Sequence, residues 1–267
     1  MEPRDGRLTM DPSLSTLALA GAGGALIGLL LAVFGGGGSV LATPFLIYVL
    51  GVRDPHVAIG TSAAAVAVNA AFGLSMQSRA GQVKWPCALV FGAAGLTGAL
   101  AGAHLAKQVD GQALMAGFAL AMALVGVSML FSRRSEGDPS VHLTPRLVLR
   151  LAPVGLVVGL AAGFFGIGGG FLIVPGLMVA TGMTLAHAAA SSLASVAVFG
   201  AATSASYTAS GLVDWPLFAA LTVGGAGGAI AGGPIARRLS GHATAARRIF
   251  ALMVLATAAY VAWRSLG

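Results

Sequence analysis

Charged side chains are scarce in this 267-residue chain: Asp, Glu, Lys and Arg together make up 9%, where an ordinary soluble domain carries about 25%. From Leu151 to Val213 there are 63 consecutive residues with none of the four. That excludes an ordinary water-soluble enzyme and places the stretch in lipid. Cysteine is limited to Cys87, so neither an internal disulfide nor a cysteine-only metal cage can form. Aromatic residues supply only 7%, and the basic residues behind the net charge of +7 are not gathered on a face with stacking rings between them, which excludes a nucleic-acid partner. They fall instead at the edges of apolar segments, as in loops attracted to anionic headgroups. The long spans hold no paired carboxylates, no His/Cys cluster with metal spacing and no nucleophile beside a base. The chain therefore reads as neither an enzyme nor a carrier of a cofactor or metal.

Apolar residues and glycine are abundant, at 57% and 40 residues. Crossing the hydrocarbon core takes about 20 apolar residues. Eight segments qualify: Leu14 to Val33, His56 to Ser75, Trp85 to Ala106, Gln112 to Phe131, Leu147 to Phe165, His187 to Tyr207, Trp215 to Ala236 and Ala246 to Trp263. Two shorter ones, Ser39 to Leu50 and Phe171 to Thr181, reach only about 16 to 18 Å as helices. They read as half-helices, short tilted spans or re-entrant pieces. The expected fold is all-α, a polytopic integral membrane helical bundle.

Shifting the chain by 131 residues lays Phe34-Gly35, Gly37-Gly38, Leu41, Pro44, Leu46, Gly51 and His56 on Phe165-Gly166, Gly168-Gly169, Leu172, Pro175, Leu177, Gly182 and His187. After a one-residue gap the offset is 130. Gly81, Val83, Trp85 and Pro86 then meet Gly211, Val213, Trp215 and Pro216, while Gly98 and Gly102 meet Gly228 and Gly232. The chain is read as a duplication: an N-terminal tail (1–13), a first transmembrane repeat (14–131), a hydrophilic linker (132–146) and a second repeat (147–264).

Charge arbitrates the orientation of the repeats. If the short segments also cross, each half has five crossings and the repeats are inverted. With the N-terminus outside, ten of the fifteen basic residues then face the cytoplasm. Parallel repeats reach nine against six at best and leave the Arg237 to Arg248 cluster outside. Equivalent loops also carry opposite bias, since Arg79 and Lys84 face a counterpart holding only Asp214. Inversion is favoured.

The broken regions, Phe34 to Ser39 with Pro44 and Phe165 to Gly170 with Pro175, carry the strongest hint of chemistry. Each helical glycine costs about 1 kcal/mol relative to alanine, and unwound backbone at membrane depth survives only against protein or a water-filled cavity. The helix that restarts after each break offers N–H groups and a positive dipole end, which suit an anion. A dinucleotide site fails, because Val40 and Phe171 stand where G-x-G-x-x-G needs its last glycine. The competing reading is close helix packing, which is preferred for the isolated patterns Gly155-x-x-x-Gly159-x-x-x-Gly163, Gly98-x-x-x-Gly102 and Gly228-x-x-x-Gly232. The candidate substrate-binding residues are Gly37, Gly38, Ser39, Thr61, Ser62 and Asn69 in the first repeat. In the second they are Gly168, Gly169, Gly170, Ser191, Ser192 and Ser195. Each hydroxyl or amide has the alternative of a plain helix-helix hydrogen bond. His56 and His187 read first as interfacial or capping residues, with His187 kept as the candidate for proton coupling. Trp85 and Trp215 read as interfacial anchors.

The segment Phe165-Gly166-Ile167-Gly168-Gly169-Gly170-Phe171-Leu172-Ile173-Val174-Pro175, together with Arg79-Ala80-Gly81-Gln82-Val83-Lys84-Trp85, resembles the sulfite exporter TauE/SafE family of membrane transporters. The likeness runs from about Leu14 to Trp263. The first repeat departs from the pattern, with Gly36 where an apolar residue is common and Ser39 where a glycine is. The resemblance implies a multi-pass protein of the bacterial cytoplasmic (inner) membrane that moves sulfite, sulfonates or related organosulfur or carboxylate anions. A secondary transporter working by alternating access is the leading expectation; a passive anion channel and a membrane assembly subunit are the alternatives. The identity of the anion, a coupling ion (H+ or Na+) and pairing into a homodimer are left open.

Overall fold

The computed structural model describes residues 13–131, 137, 138, 140–166, 170–239 and 243–266. Among these, ten helices follow one another: α1 Leu14–Phe34, α2 Ala42–Pro44, α3 Pro55–Arg79, α4 Trp85–Ala106, α5 Gly111–Phe131, α6 Pro145–Phe165, α7 Gly170–Thr181, α8 Leu185–Thr208, α9 Trp215–Leu239 and α10 Ala243–Leu266. Eight of them are long and apolar enough to cross a membrane. Their starts are written in polar caps. Ser13, Asp54, Thr144 and Thr184 accept from the backbone N–H groups of Thr16, His56, Leu147 and His187, and Pro55 and Pro145 occupy first-turn positions where no N–H is needed. Val157, Leu124 and Val223, each about two-thirds or more exposed, belong to an apolar outer surface that would be intolerable in water and suits hydrocarbon.

The expected half-helix Ser39 to Leu50 has a more irregular form. Gly35–Leu41 is a 3-10 helix, α2 is a single turn, and Phe45–Val49 is a π-helical turn. Pro44 has no N–H and its ring displaces the carbonyl four residues back, so the chain changes helical register around it instead of continuing as α-helix.

Small residues set the packing. α1 runs parallel to α9, with Gly21, Gly24 and Gly28 against Ala220, Leu221 and Gly225, and α4 runs parallel to α6, with Gly95, Gly98 and Gly102 against Gly155, Leu156 and Leu160. A Cβ on Gly28 would overlap the Gly225 backbone, and one on Gly159, 131 residues later, would overlap Gly95. Backbones this close replace the hydrophobic drive that is missing between helices in lipid with van der Waals contact. The isolated small-residue patterns thus pack helices, as expected. α3 and α8 run antiparallel: Gly60 lies by Tyr207, Gly200 by Ala63 and Ala67, and Gly73 by Leu193. α5 packs on α10. The six glycines with positive φ fall into pairs at the sequence offsets, Gly35 with Gly166, Gly51 with Gly182 and Gly81 with Gly211.

The linker is strapped to the α7–α8 turn, where the Asp138 N–H donates to the Gly182 carbonyl at 2.9 Å. Ser140 donates to Asp138 Oδ1 from both its hydroxyl and its N–H, which holds that carboxyl below the usual carboxylate range.

Candidate functional site

The two breaks touch. A Cβ on Gly170 would overlap the Gly36 carbonyl, and one on Gly36 would meet Gly170 and the side chain of Val196, the twelfth of the 24 residues in α8. The contact therefore sits level with the middle of a spanning helix. Gly35, at φ 63°, lies against the Ala189 carbonyl, and Gly166, at φ 68°, lies against Ile59. Positive φ costs glycine little, so the chain can leave α1 and α6 at sharp angles there. Gly168 and Gly169 lie outside the described residues.

The remaining candidates are buried, and most are engaged. Gly36 donates its N–H to Ser192 Oγ at 2.9 Å, Ser192 donates to the Ala189 carbonyl, and Ser39 donates to the Gly36 carbonyl at 2.7 Å. Gly37 lies against the Phe250 ring and Gly38 against the backbone of α1. A 2.7 Å hydrogen bond joins Thr43 Oγ1 to Ser62 Oγ, and Asn69 Nδ2 donates to the Leu221 carbonyl at 3.4 Å. Thr61 Oγ1 accepts from the Asp214 N–H and Ser191 Oγ from the Lys84 N–H, both at 2.9 Å and at equivalent points of the two halves. These hydroxyls tie α3 to the start of α9 and α8 to the start of α4. Ser195 Oγ and Asn69 Oδ1 are buried without partners. His187 lies in the first turn of α8, where Thr184 is the cap: the His187 N–H donates to Thr184 Oγ1 while Nδ1 lies 2.8 Å from the same oxygen.

Thr61→Val and Ser191→Ala should each leave a backbone N–H unsatisfied and lower stability by about 1 to 3 kcal/mol. The two sites share no partner, so the double variant should be close to the sum. Thermal unfolding in detergent measures both.

A cavity of about 330 Å³ opens at one end of the bundle and reaches Phe34 and Ala189 at the first break. It runs between the C-terminal end of α3 (Gly73, Met76, Gln77, Ala80), the start of α8 and Gly233 of α9. Its polar side chains are Gln77 and Gln82; the rest of the lining is small or apolar. Gly37, Gly38 and Ser39 do not line it in this conformation. Arg79 and Arg238 stand at this end, and Arg247, next to the lining residue Ala246, is buried.

Three positions that match the cavity at the other end are fully buried. Gly73, Gln77 and Ala189 correspond to Thr203, Tyr207 and Ile59, all of them 0% exposed. Tyr207 stacks on His56 with centroids 6.3 Å apart, and Lys107 Nζ sits 5.9 Å from the Tyr207 ring centroid. Phe165 packs on Phe118 close by. Sequence reasoning missed Gln77, Gln82 and Tyr207 as site residues. Their signal was the 130-residue shift, which sets an amide at Gln77 against a phenol at Tyr207. Among the described residues no cluster of three or more His, Cys, Asp or Glu could hold a metal ion.

Comparison with known proteins agrees with this architecture. The profile of the family described as Sulfite exporter TauE/SafE matches residues 20–261. A "Probable membrane transporter protein" of Xylella fastidiosa (strain 9a5c) is 44% identical over 252 residues, covering 94% of this chain and 96% of that protein. "Probable membrane transporter protein YunE" of Bacillus subtilis (strain 168) is 27% identical over 242 residues, covering 83% and 86%. No solved structure matches the chain. With eight apolar spanning helices, a helix break at mid-bundle and a profile match over most of its length, the chain is a multi-pass membrane transporter that belongs to the TauE/SafE sulfite exporter family.

Proposed function

We propose that the protein is a secondary transporter that moves a small anion, namely sulfite, a sulfonate or a related organosulfur or carboxylate anion, across the bacterial cytoplasmic membrane by alternating access between two inverted repeats. One observation carries the reading: a cavity open at one end stops at the touching helix breaks, while Thr203, Tyr207 and Ile59, which match three of its lining positions at the other end, are fully buried. A passive channel would need both ends passable.

The course of α3 against α8 supports inversion. These helices are equivalents, and five crossings per half make equivalent helices antiparallel, whereas four would make them parallel. They are antiparallel. The open end carries Arg79, Lys84, Arg238 and Arg247, so by the positive-inside bias it faces the cytoplasm. An anion arriving at the cavity floor would compete with the Ser192 hydroxyl for the Gly36 N–H, and the backbone of Gly37 to Ser39 and Gly168 to Gly170 would receive it as the breaks shift. Thr61, Ser62, Asn69 and Ser191 surround that path as anchors of the helices that move, and the unpartnered Ser195 hydroxyl supplies a further donor. In this reading an enzymatic activity has no role.

In proteoliposomes, uptake of radiolabelled sulfite or methanesulfonate should saturate and should accelerate when unlabelled anion is placed on the far side. Uptake that neither saturates nor responds to the far side would replace the transporter with a channel. Gln77→Leu should raise the half-saturation concentration on the cytoplasmic side by roughly tenfold, since it removes one of two amide donors to a charged ligand.

A further inference from the structure

We infer that Thr203, Tyr207 and Lys107 form an outward-facing oxyanion site that is closed in this conformation and exposed in the opposite one. The inference rests on the alternating-access reading above. It starts from two buried hydroxyls: Thr203 Oγ1 and Tyr207 Oη have no hydrogen-bond partner, although both residues are 0% exposed. They stand four residues apart and so on one face of α8. Leaving one such group unpaired costs about 1–3 kcal/mol, so two in successive turns call for an explanation.

The repeat supplies one. The cavity-lining residues of α3 are Gly73, Met76, Gln77 and Ala80, and their equivalents 130 positions later are Thr203, Ser206, Tyr207 and Ser210. The hydrogen bonds of Thr61 to Asp214 and of Ser191 to Lys84 hold that offset through these helices. Every one of the four outer positions thus carries a hydroxyl, where the inner ones carry a glycine, a methionine, an amide and an alanine. When the outer end opens, these hydroxyls become the cavity wall.

A cation already waits there. Lys107 Nζ donates to the Ser206 carbonyl at 3.3 Å and to Ser210 Oγ at 3.2 Å, beside the Tyr207 ring. The carboxylates at this end are engaged at helix starts: Asp54 Oδ1 accepts from the His56 N–H, Asp110 Oδ2 from Gln112 and Asp214 Oδ1 from Leu217. Neutral hydroxyl donors together with one ammonium suit an oxyanion such as a sulfonate, sulfite or carboxylate. Closed, Lys107 latches α4 to α8; open, it exchanges the Ser206 carbonyl for the anion.

The test uses reagents that are themselves charged probes. In a Cys87→Ala background, Thr203→Cys is treated on intact cells with an impermeant methanethiosulfonate carrying a sulfonate, and in parallel with its quaternary ammonium counterpart. Gln77→Cys is treated likewise in inside-out vesicles. Thr203→Cys should react from outside, faster with the sulfonate, and Lys107→Gln should lower the anion-to-cation rate ratio roughly tenfold, the effect of removing a focusing charge. Tyr207→Phe, which loses no hydrogen bond of the closed state, should slow only the sulfonate. Reaction from outside without anion preference overturns the oxyanion site and leaves alternating access standing. No reaction from outside, with Gln77→Cys still reactive from inside, overturns both.

Discussion

Gly170→Ala is expected to abolish transport and to destabilise the fold more than any other single methyl addition in the bundle. The added Cβ would coincide with the carbonyl of Gly36. A flexible side chain could turn away, but a backbone carbonyl in a 3-10 segment cannot. Overpacking of cores costs about 1–3 kcal/mol, and this contact belongs at the upper end because both partners are main chain. Gly227→Ala supplies the control, since its Cβ would meet nothing within 4 Å and alanine is the better helix former by about 1 kcal/mol. Thermal unfolding and anion uptake, measured on both variants, should separate widely. If Gly170→Ala keeps wild-type stability and uptake, the breaks do not meet as they do here, and the cavity floor has to be rebuilt around another pair.

Much of this arrangement was legible in the sequence, for identifiable reasons. Helix existence followed from uncharged length, while the starts of α3 and α6 were expected at His56 and Leu147, one and two residues late, because the caps Asp54-Pro55 and Thr144-Pro145 set them. Trp85 to Ala106 is read and found with the same limits. α9 and α10 run three residues past their expected inner ends, because Arg237 and Arg238 prolong a helix beyond the apolar core without ending it. The glycine breaks announced themselves by repetition. Their local form did not, because a 3-10 segment passing into a π turn depends on how Pro44 and Phe45 are held by the neighbouring helices.

The site was less legible. Ser191, Ser192 and Thr61 were singled out as polar groups in apolar helices, and they do reach the first break and the starts of α4 and α9. What they touch, however, is backbone more than a hundred residues away, and no local stretch of sequence carries that information. Gln77 lay two residues outside the expected span, and Tyr207 figured only as the last residue of another. The roles of both depend on which end of the bundle the cavity reaches, and that follows from packing between helices far apart in the chain.

Tyr207→Ala should turn this difference between the ends into a leak. Tyr207 is among the largest fully buried side chains and fills the outer space that matches the inner position of Gln77. Truncating it removes the ring against which His56 stacks and over which Lys107 sits, at a cost of about 3 kcal/mol, the lower end of the range for deleting a packed aromatic ring. The void would open near the C-terminal end of α8, whereas the cavity opens beside the start of that helix and reaches the break between them. With the outer plug gone while the inner end stays open, anions would pass without the protein changing state. Flux should then lose its saturation and its response to far-side anion, while Tyr207→Phe, which keeps the ring, should retain both. The two variants isolate the ring from the hydroxyl, since only Tyr207→Ala removes the packed ring while both remove the unpartnered Oη. Efflux of radiolabelled sulfite from loaded proteoliposomes, with and without external anion, reads the difference. If Tyr207→Ala still saturates and still exchanges, closure at the outer end resides in Ile59, Phe165 and their neighbours, and the phenol is packing alone.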